Sequence, residues 1–332
     1  MKRSSWTIAL VGTALVVMVA FTGCSNSLLG SGPGDAADMN SEPADIAAWE
    51  AQVDADFAEV LASLGTDGAE SALAAFDAKY ASDLSRSFAP ELRAVRAARS
   101  SSKGSSDYPP LAAMPFNRDG AVYLSGGSTD LVGNVIGWVA PKTLPGGYYH
   151  GGVLDLDKVD PNNPDAPCVQ TAVTKGAGYE SATDWRTKVN ACVLNPVSTP
   201  ATSSLNSAQS AMHYYCQPSN TNMEYGFFKN YVNIFNVVTK ADNYTWYCTK
   251  VAWRVYNSFG VDIDSNSAQV DFTQSGLYGL VKTYYKTRYF YSSSKANAAI
   301  AAYIADARTK IVLAEEIMLS PRLVKVFEAI RE

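Results

Sequence analysis

"WYCTKVAWRVYNSFG", residues 246–260, places a cysteine at the head of a helix-forming run. Within it Cys248, Val251, Ala252, Val255 and Phe259 recur at three- and four-residue steps and share one apolar stripe, whereas Lys250, Arg254 and Asn257 lie off it. A helix over 248–259 with that stripe turned inward buries Cys248. A structural cysteine and a nucleophile would both face the packed side, so the stripe leaves both readings open. Position adds a further consideration. In the first turn of a helix the unpaired N–H groups and the positive end of the dipole stabilise a thiolate.

A nucleophilic thiol needs a base, most often histidine, and the chain holds only two. His213 lies in "SAQSAMHYYCQP", late in a helical pattern, and reads as a helix-surface or core-edge residue. His150 lies in "LPGGYYHGGVLDLD", with Gly146 and Gly147 before it and Gly151 and Gly152 after it. It enters a strand with little side-chain bulk around it, which leaves room for another backbone or for a substrate. A lone histidine is most often structural; the glycines favour His150 as the base.

The first residues belong to no globule. Lys2 and Arg3 precede the apolar run "WTIALVGTALVVMVAFTG", which ends at Cys24. These are the parts of an export signal, and Phe21-Thr22-Gly23-Cys24 is similar to a lipoprotein processing box. Residues 1–23 are therefore expected to be a signal peptide and Cys24 a lipidation site. The mature chain would be anchored by lipid on the extracytoplasmic side of a bacterial membrane. An uncleaved N-terminal membrane helix is the alternative. Cys168, Cys192, Cys216 and Cys248 would then lie in a disulfide-permissive compartment. If Cys248 is a working thiol, at most one disulfide forms among the other three.

The full chain of 332 residues, 47% hydrophobic, suffices for one sizeable core and a small helical appendage. A net charge of −5 gives no electrostatic footprint for nucleic acid. Residues 24–40 read as a flexible tether and 41–100 as a helical region. In it Ile46, Trp49, Val53, Phe57, Val60 and Leu64 mark the first helix, and shorter stretches follow over 69–80 and 90–99. Between Ser25 and Ala78 there are eleven acidic residues and no Lys or Arg, whereas Arg86, Arg93, Arg96 and Arg99 follow. Such a split is most often two solvated faces; the sharper reading is a surface that docks on the rest of the chain or on a partner. Residues 101–109 read as a linker. From 110 to 332, β-like runs over 121–126, 151–156 and 168–173 accompany helices over 204–215, 248–259 and 296–311. This predicts an α+β fold, with a small antiparallel sheet packed on helices. Asp-x-Asp runs at Asp155 and Asp262 lack the glycine and the bidentate glutamate of a calcium loop. Two histidines without Cys-x-x-Cys argue against zinc, and no metal or cofactor is expected.

The strand "DGAVYLSGG", then "YHGGVLDL", then "CVQTAV", then the helix-borne "YCTKVAWRVYNSFGVDID" stand in a recognisable order. This order resembles the circularly permuted, papain-like cysteine hydrolases of the NlpC superfamily, in particular its YiiX-like branch, in which His precedes Cys. "KIVLAEEIMLSPRLVKVFE", residues 310–328, resembles that branch's closing segment, with Leu313-Ala314 in place of Thr-Pro. The resemblance covers about residues 110–328 and omits the N-terminal helices. It implies Cys248 as nucleophile and His150 as base, with a His-orienting polar group on the following strand. Gln170 and Thr171 are the available residues there, where the branch commonly carries Glu. Tyr149, Trp246 and Tyr247 either pack in the core or wall a substrate groove. The implied activity is hydrolysis of an amide in a cell-envelope substrate, with peptidoglycan peptide as the leading candidate. A lipid or acyl-ester hydrolase or acyltransferase using the same pair, and an inactive envelope-binding lipoprotein, are the alternatives.

Overall fold

A computed structural model describes residues 43, 45–63, 68–86, 109–127, 140–173, 176–198, 200, 202–217, 223–226 and 237–331. The expected signal peptide, Cys24, the tether, the helix over 90–99 and all but the last residue of the linker lie outside them. No described helix is long and apolar enough to cross a membrane.

The chain is an α+β protein. In order, its elements are α1 (Ile46–Ser63), α2 (Ala69–Tyr80), β1 (Val122–Gly126), β2 (Tyr148–Leu154), β3 (Pro167–Val173), β4 (Gly176–Ser181), α3 (Ala182–Arg186) and β5 (Asn190–Pro196). Then come α4 (Thr202–Tyr215), β6 (Glu224–Tyr225), β7 (Thr245–Trp246), α5 (Cys248–Asn257), α6 (Gly276–Arg288), α7 (Ser293–Lys310), α8 (Ala314–Met318) and β8 (Leu323–Ala329). Six strands form one sheet in the order β4-β3-β2-β1-β5-β8, and every pairing in it is antiparallel.

Alternation along the central strand β1 sorts the core into two layers. Val122 and Leu124 pack with Val251, Ala252 and Val255 of α5, whereas Tyr123 packs with Val169, Trp185 and Val193. Burial on both faces explains why β1 reads as a continuous apolar run. The N-terminal helices close a third cluster. Val53, Phe57 and Val60 of α1 and Leu73 and Phe76 of α2 pack against Leu277, Leu280, Val281 and Tyr284 of α6. Polar contacts border that cluster, because Glu50 pairs with Arg288 at 3.1 Å and Asp54 accepts from the Tyr284 hydroxyl at 2.6 Å. Two members of the acidic tract thus meet the body of the protein.

The helix over 248–259 ends two residues earlier, at Asn257, and is buried on more sides than its apolar stripe predicts. Lys250, read as off the packed face, is fully buried. Its ammonium donates to the Thr245 carbonyl at 2.9 Å and lies 5.0 Å from the Trp246 ring centroid, so it ties α5 to β7, which precedes it. Partnering by carbonyls and an aromatic face makes this burial tolerable.

Candidate active site

Cys248 is the first residue of α5. Its predecessor Tyr247 is extended, with φ −132° and ψ 159°, and supplies no side-chain cap to the N–H groups of the first turn. Two segments hold this helix start in place. The Val312 N–H donates to the Tyr247 hydroxyl at 3.0 Å, and the Thr249 hydroxyl donates to the Val312 carbonyl at 2.6 Å. From the other side β2 comes close, because Gly151 has no side chain. A Cβ there would lie 3.0 Å from Thr249 Cγ2 and 3.2 Å from Leu124 Cδ2. At Gly152 the corresponding atom would meet Val169 at 2.7 Å. The glycines after His150 therefore admit the protein's own helix and strand.

This packing sets His150 against Cys248. The His150 Nε2 lies 2.7 Å from Glu180 Oε2, which leaves Nδ1 for the hydrogen bond with the thiol. Cys248 is 3% exposed, and its Sγ also lies 3.6 Å from the Tyr149 carbonyl oxygen. Glu180 uses its second oxygen on Lys188, with Nζ at 2.8 Å from Oε1. The Trp185 ring stacks on His150 at 5.3 Å between centroids with a 15° interplanar angle. One short segment thus supplies the carboxylate, the ring and the ammonium. Within it, Ser181 and Asp184 form a reciprocal capping box that starts α3 directly after Glu180.

The electrostatics follow from these contacts. Burial alone would push the Cys248 thiol up, but the charge and hydrogen bond of His150, with the N–H groups of Gly151 and Thr249, hold it below its ordinary value. Burial would likewise depress His150, yet Glu180 and Cys248 raise it to about 9. Glu180, which burial would raise, is held well below the usual carboxylate range by His150 and Lys188. The arrangement favours a thiolate beside an imidazolium. Burial instead raises Cys168 to about 11, and Cys192 and Cys216 to about 12. All four thiols are free.

The structure departs from several expectations drawn from the sequence. Gln170 and Thr171 do not orient His150. The Gln170 amide donates to the Tyr179 hydroxyl at 2.7 Å and to the Gln209 carbonyl at 2.9 Å, while Thr171 donates to the Gly151 carbonyl at 2.6 Å. Glu180, one strand further along, meets the histidine, because the β3–β4 hairpin carries it past β3. The available signal was an acidic residue immediately before a Ser-x-x-Asp helix start. Trp246 and Tyr247 are 0% and 2% exposed and wall no open groove. Trp246 donates to the Met223 sulfur at 3.3 Å, and Tyr247 serves the Val312 N–H. Tyr149, only partly buried, remains beside the thiol through its carbonyl. His213 is exposed on α4, 3.2 Å from the Tyr179 hydroxyl, apart from this cluster. Among the described residues no group of three or more His, Cys, Asp or Glu side chains is arranged to hold a metal ion.

No protein-family model matches the chain, and no curated protein matches it. Among solved structures it is similar to the metalloprotein YiiX from Escherichia coli O157:H7, a DUF1105 protein, at 16% identity and a TM-score of 0.38. The match covers 65% of this chain and 99% of that one.

Proposed function

We propose that the protein is a cysteine hydrolase in which Cys248 is the nucleophile, His150 the base and Glu180 the group that orients the imidazole. The observation that carries the reading is the continuous chain from the thiol on the first residue of α5 through His150 to a carboxylate. The order of His before Cys supports a permuted papain-like arrangement. In the reaction the Cys248 thiolate attacks an acyl carbon, forming a C–S bond. The C–N bond breaks as the imidazolium delivers its proton to the departing amine. Water, deprotonated by the neutral imidazole, then attacks the thioester, releases the acid and restores the thiol. The Cys248 backbone N–H, at an uncapped helix start, is the first candidate oxyanion donor. Glu180 keeps the tautomer and offsets the imidazolium charge.

The substrate in this reading is an amide of the cell envelope, with peptidoglycan peptide the leading candidate. It rests on the lipoprotein-like N-terminus and on the resemblance of the residue order to NlpC-type enzymes. The same N-terminus supports a lipid anchor at Cys24 and an extracytoplasmic address. Incubation of the purified chain with muropeptides and, separately, with phospholipid vesicles tests this, with Cys248→Ala as the control. Cys248-dependent cleavage of a muropeptide amide is the expected result. Cys248-dependent release of fatty acid instead would replace the substrate class and keep the chemistry.

A further inference from the structure

The pair Cys248–His150, read as thiolate and imidazolium, holds a charge imbalance, and the inference below rests on that reading. Two anions, the thiolate and the Glu180 carboxylate, face one cation, His150. The His150 and Glu180 side chains are only 14% and 16% exposed, so a net negative charge there would be poorly solvated. Lys188 supplies the missing cation. Its ammonium takes the Glu180 oxygen that His150 leaves unused, at 2.8 Å, and lies 5.4 Å from the Trp185 ring centroid. Its backbone N–H donates to the Trp185 carbonyl at 3.2 Å, which fixes it at the end of α3.

We propose that Lys188 is a positioning residue of the nucleophile–base pair: it clamps the Glu180 carboxylate against His150 and balances the charge that lets Cys248 ionise. The neighbouring titratable groups have other partners. Tyr247, beside Cys248, is held protonated by burial. Asp184 is tied to Ser181, and Arg186 lies over the Phe116 ring. Removing a cation makes every acid near it hold its proton more tightly, so the pKa of the thiol and that of the imidazolium should both shift upward.

The test is the pH dependence of iodoacetamide alkylation at Cys248, followed by mass spectrometry of its peptide in the full chain. Wild type is compared with Lys188→Met, Lys188→Gln and Lys188→Arg. Melting curves identify any variant that does not fold. The acidic limb is expected to move up by roughly half a unit to one unit in the Met and Gln variants, and to return in Arg. This is less than a direct ion pair would give, because Lys188 acts across a carboxylate and is partly exposed. An acidic limb that stays in place in the folded Met or Gln variant, or moves equally in Arg, overturns the role of Lys188. A wild-type Cys248 that titrates as an ordinary thiol overturns the underlying Cys–His reading, and the Lys188 role with it.

Discussion

Glu180 is held ionised by cations on both of its oxygens, and the character of the site depends on that carboxylate. Glu180→Gln preserves shape but leaves the imidazolium without its counter-charge. The proposed cleavage of a muropeptide amide should fall by roughly 10²- to 10⁴-fold. Gln170→Ala should leave the alkylation profile of Cys248 unchanged, since that amide serves Tyr179 and Gln209. The sign of the pH dependence follows from His150. Its pKa is raised to about 9, so its interactions stabilise the fold fully below the unfolded value of about 6.5 and are lost as pH rises through 9. In the proposed mechanism the same deprotonation removes the proton donor, so turnover should decline on the alkaline side near that value. Cys248 and His150 were legible as candidates from residue scarcity and chain order. Glu180 was not, because a side chain two strands away in the sheet leaves no periodic trace at the histidine.

At the scale of elements, the site exists because α5 begins against β2 where β2 has no side chain. Gly151→Ala would place a methyl 3.0 Å from Thr249 Cγ2, tighter than most packed contacts, so that Thr249 or the strand would have to give by a few tenths of an ångström. An overpacking cost of about 1–3 kcal/mol is expected in denaturant melts, together with slower Cys248 alkylation as the helix start is displaced. The glycine pattern around His150 was visible in the sequence; what fills the space was not, since helix and substrate both need it. Apolar runs and helical stripes located β1, β2, β3, α2, α4, α5 and α7 to within a few residues. Strands β4 and β8 escaped because "GAGYES" and "LVKVFEA" mix small, charged and apolar residues. Their pairing is decided by neighbours in the sheet. Lys250 went astray for a related reason: helical spacing assigns a face, but a buried lysine depends on the carbonyls that the preceding loop brings to it.

For the whole molecule, the N-terminal helices are packed on α6 through a shared aromatic core, with Phe57 4.9 Å from Tyr284 and 5.7 Å from Phe76 between ring centroids. Phe57→Ala should cost about 3–5 kcal/mol, read as a lowered denaturation midpoint. The acidic tract left open whether this region faced solvent or docked. Its contact with Arg288 became visible only once α6 was placed beside α1. The C-terminal segment through Val312 closes the fold over the start of α5, so Cys248 is positioned by parts far apart in the chain. The central claim is the Cys248–His150 ion pair, and the most direct measurement of it is the thiol pKa of Cys248 in wild type and in His150→Ala. The wild-type value is expected below the ordinary thiol range, with a rise to or above that range in the variant. Equal values in the two proteins, at or above about 8.5, would contradict the ion pair.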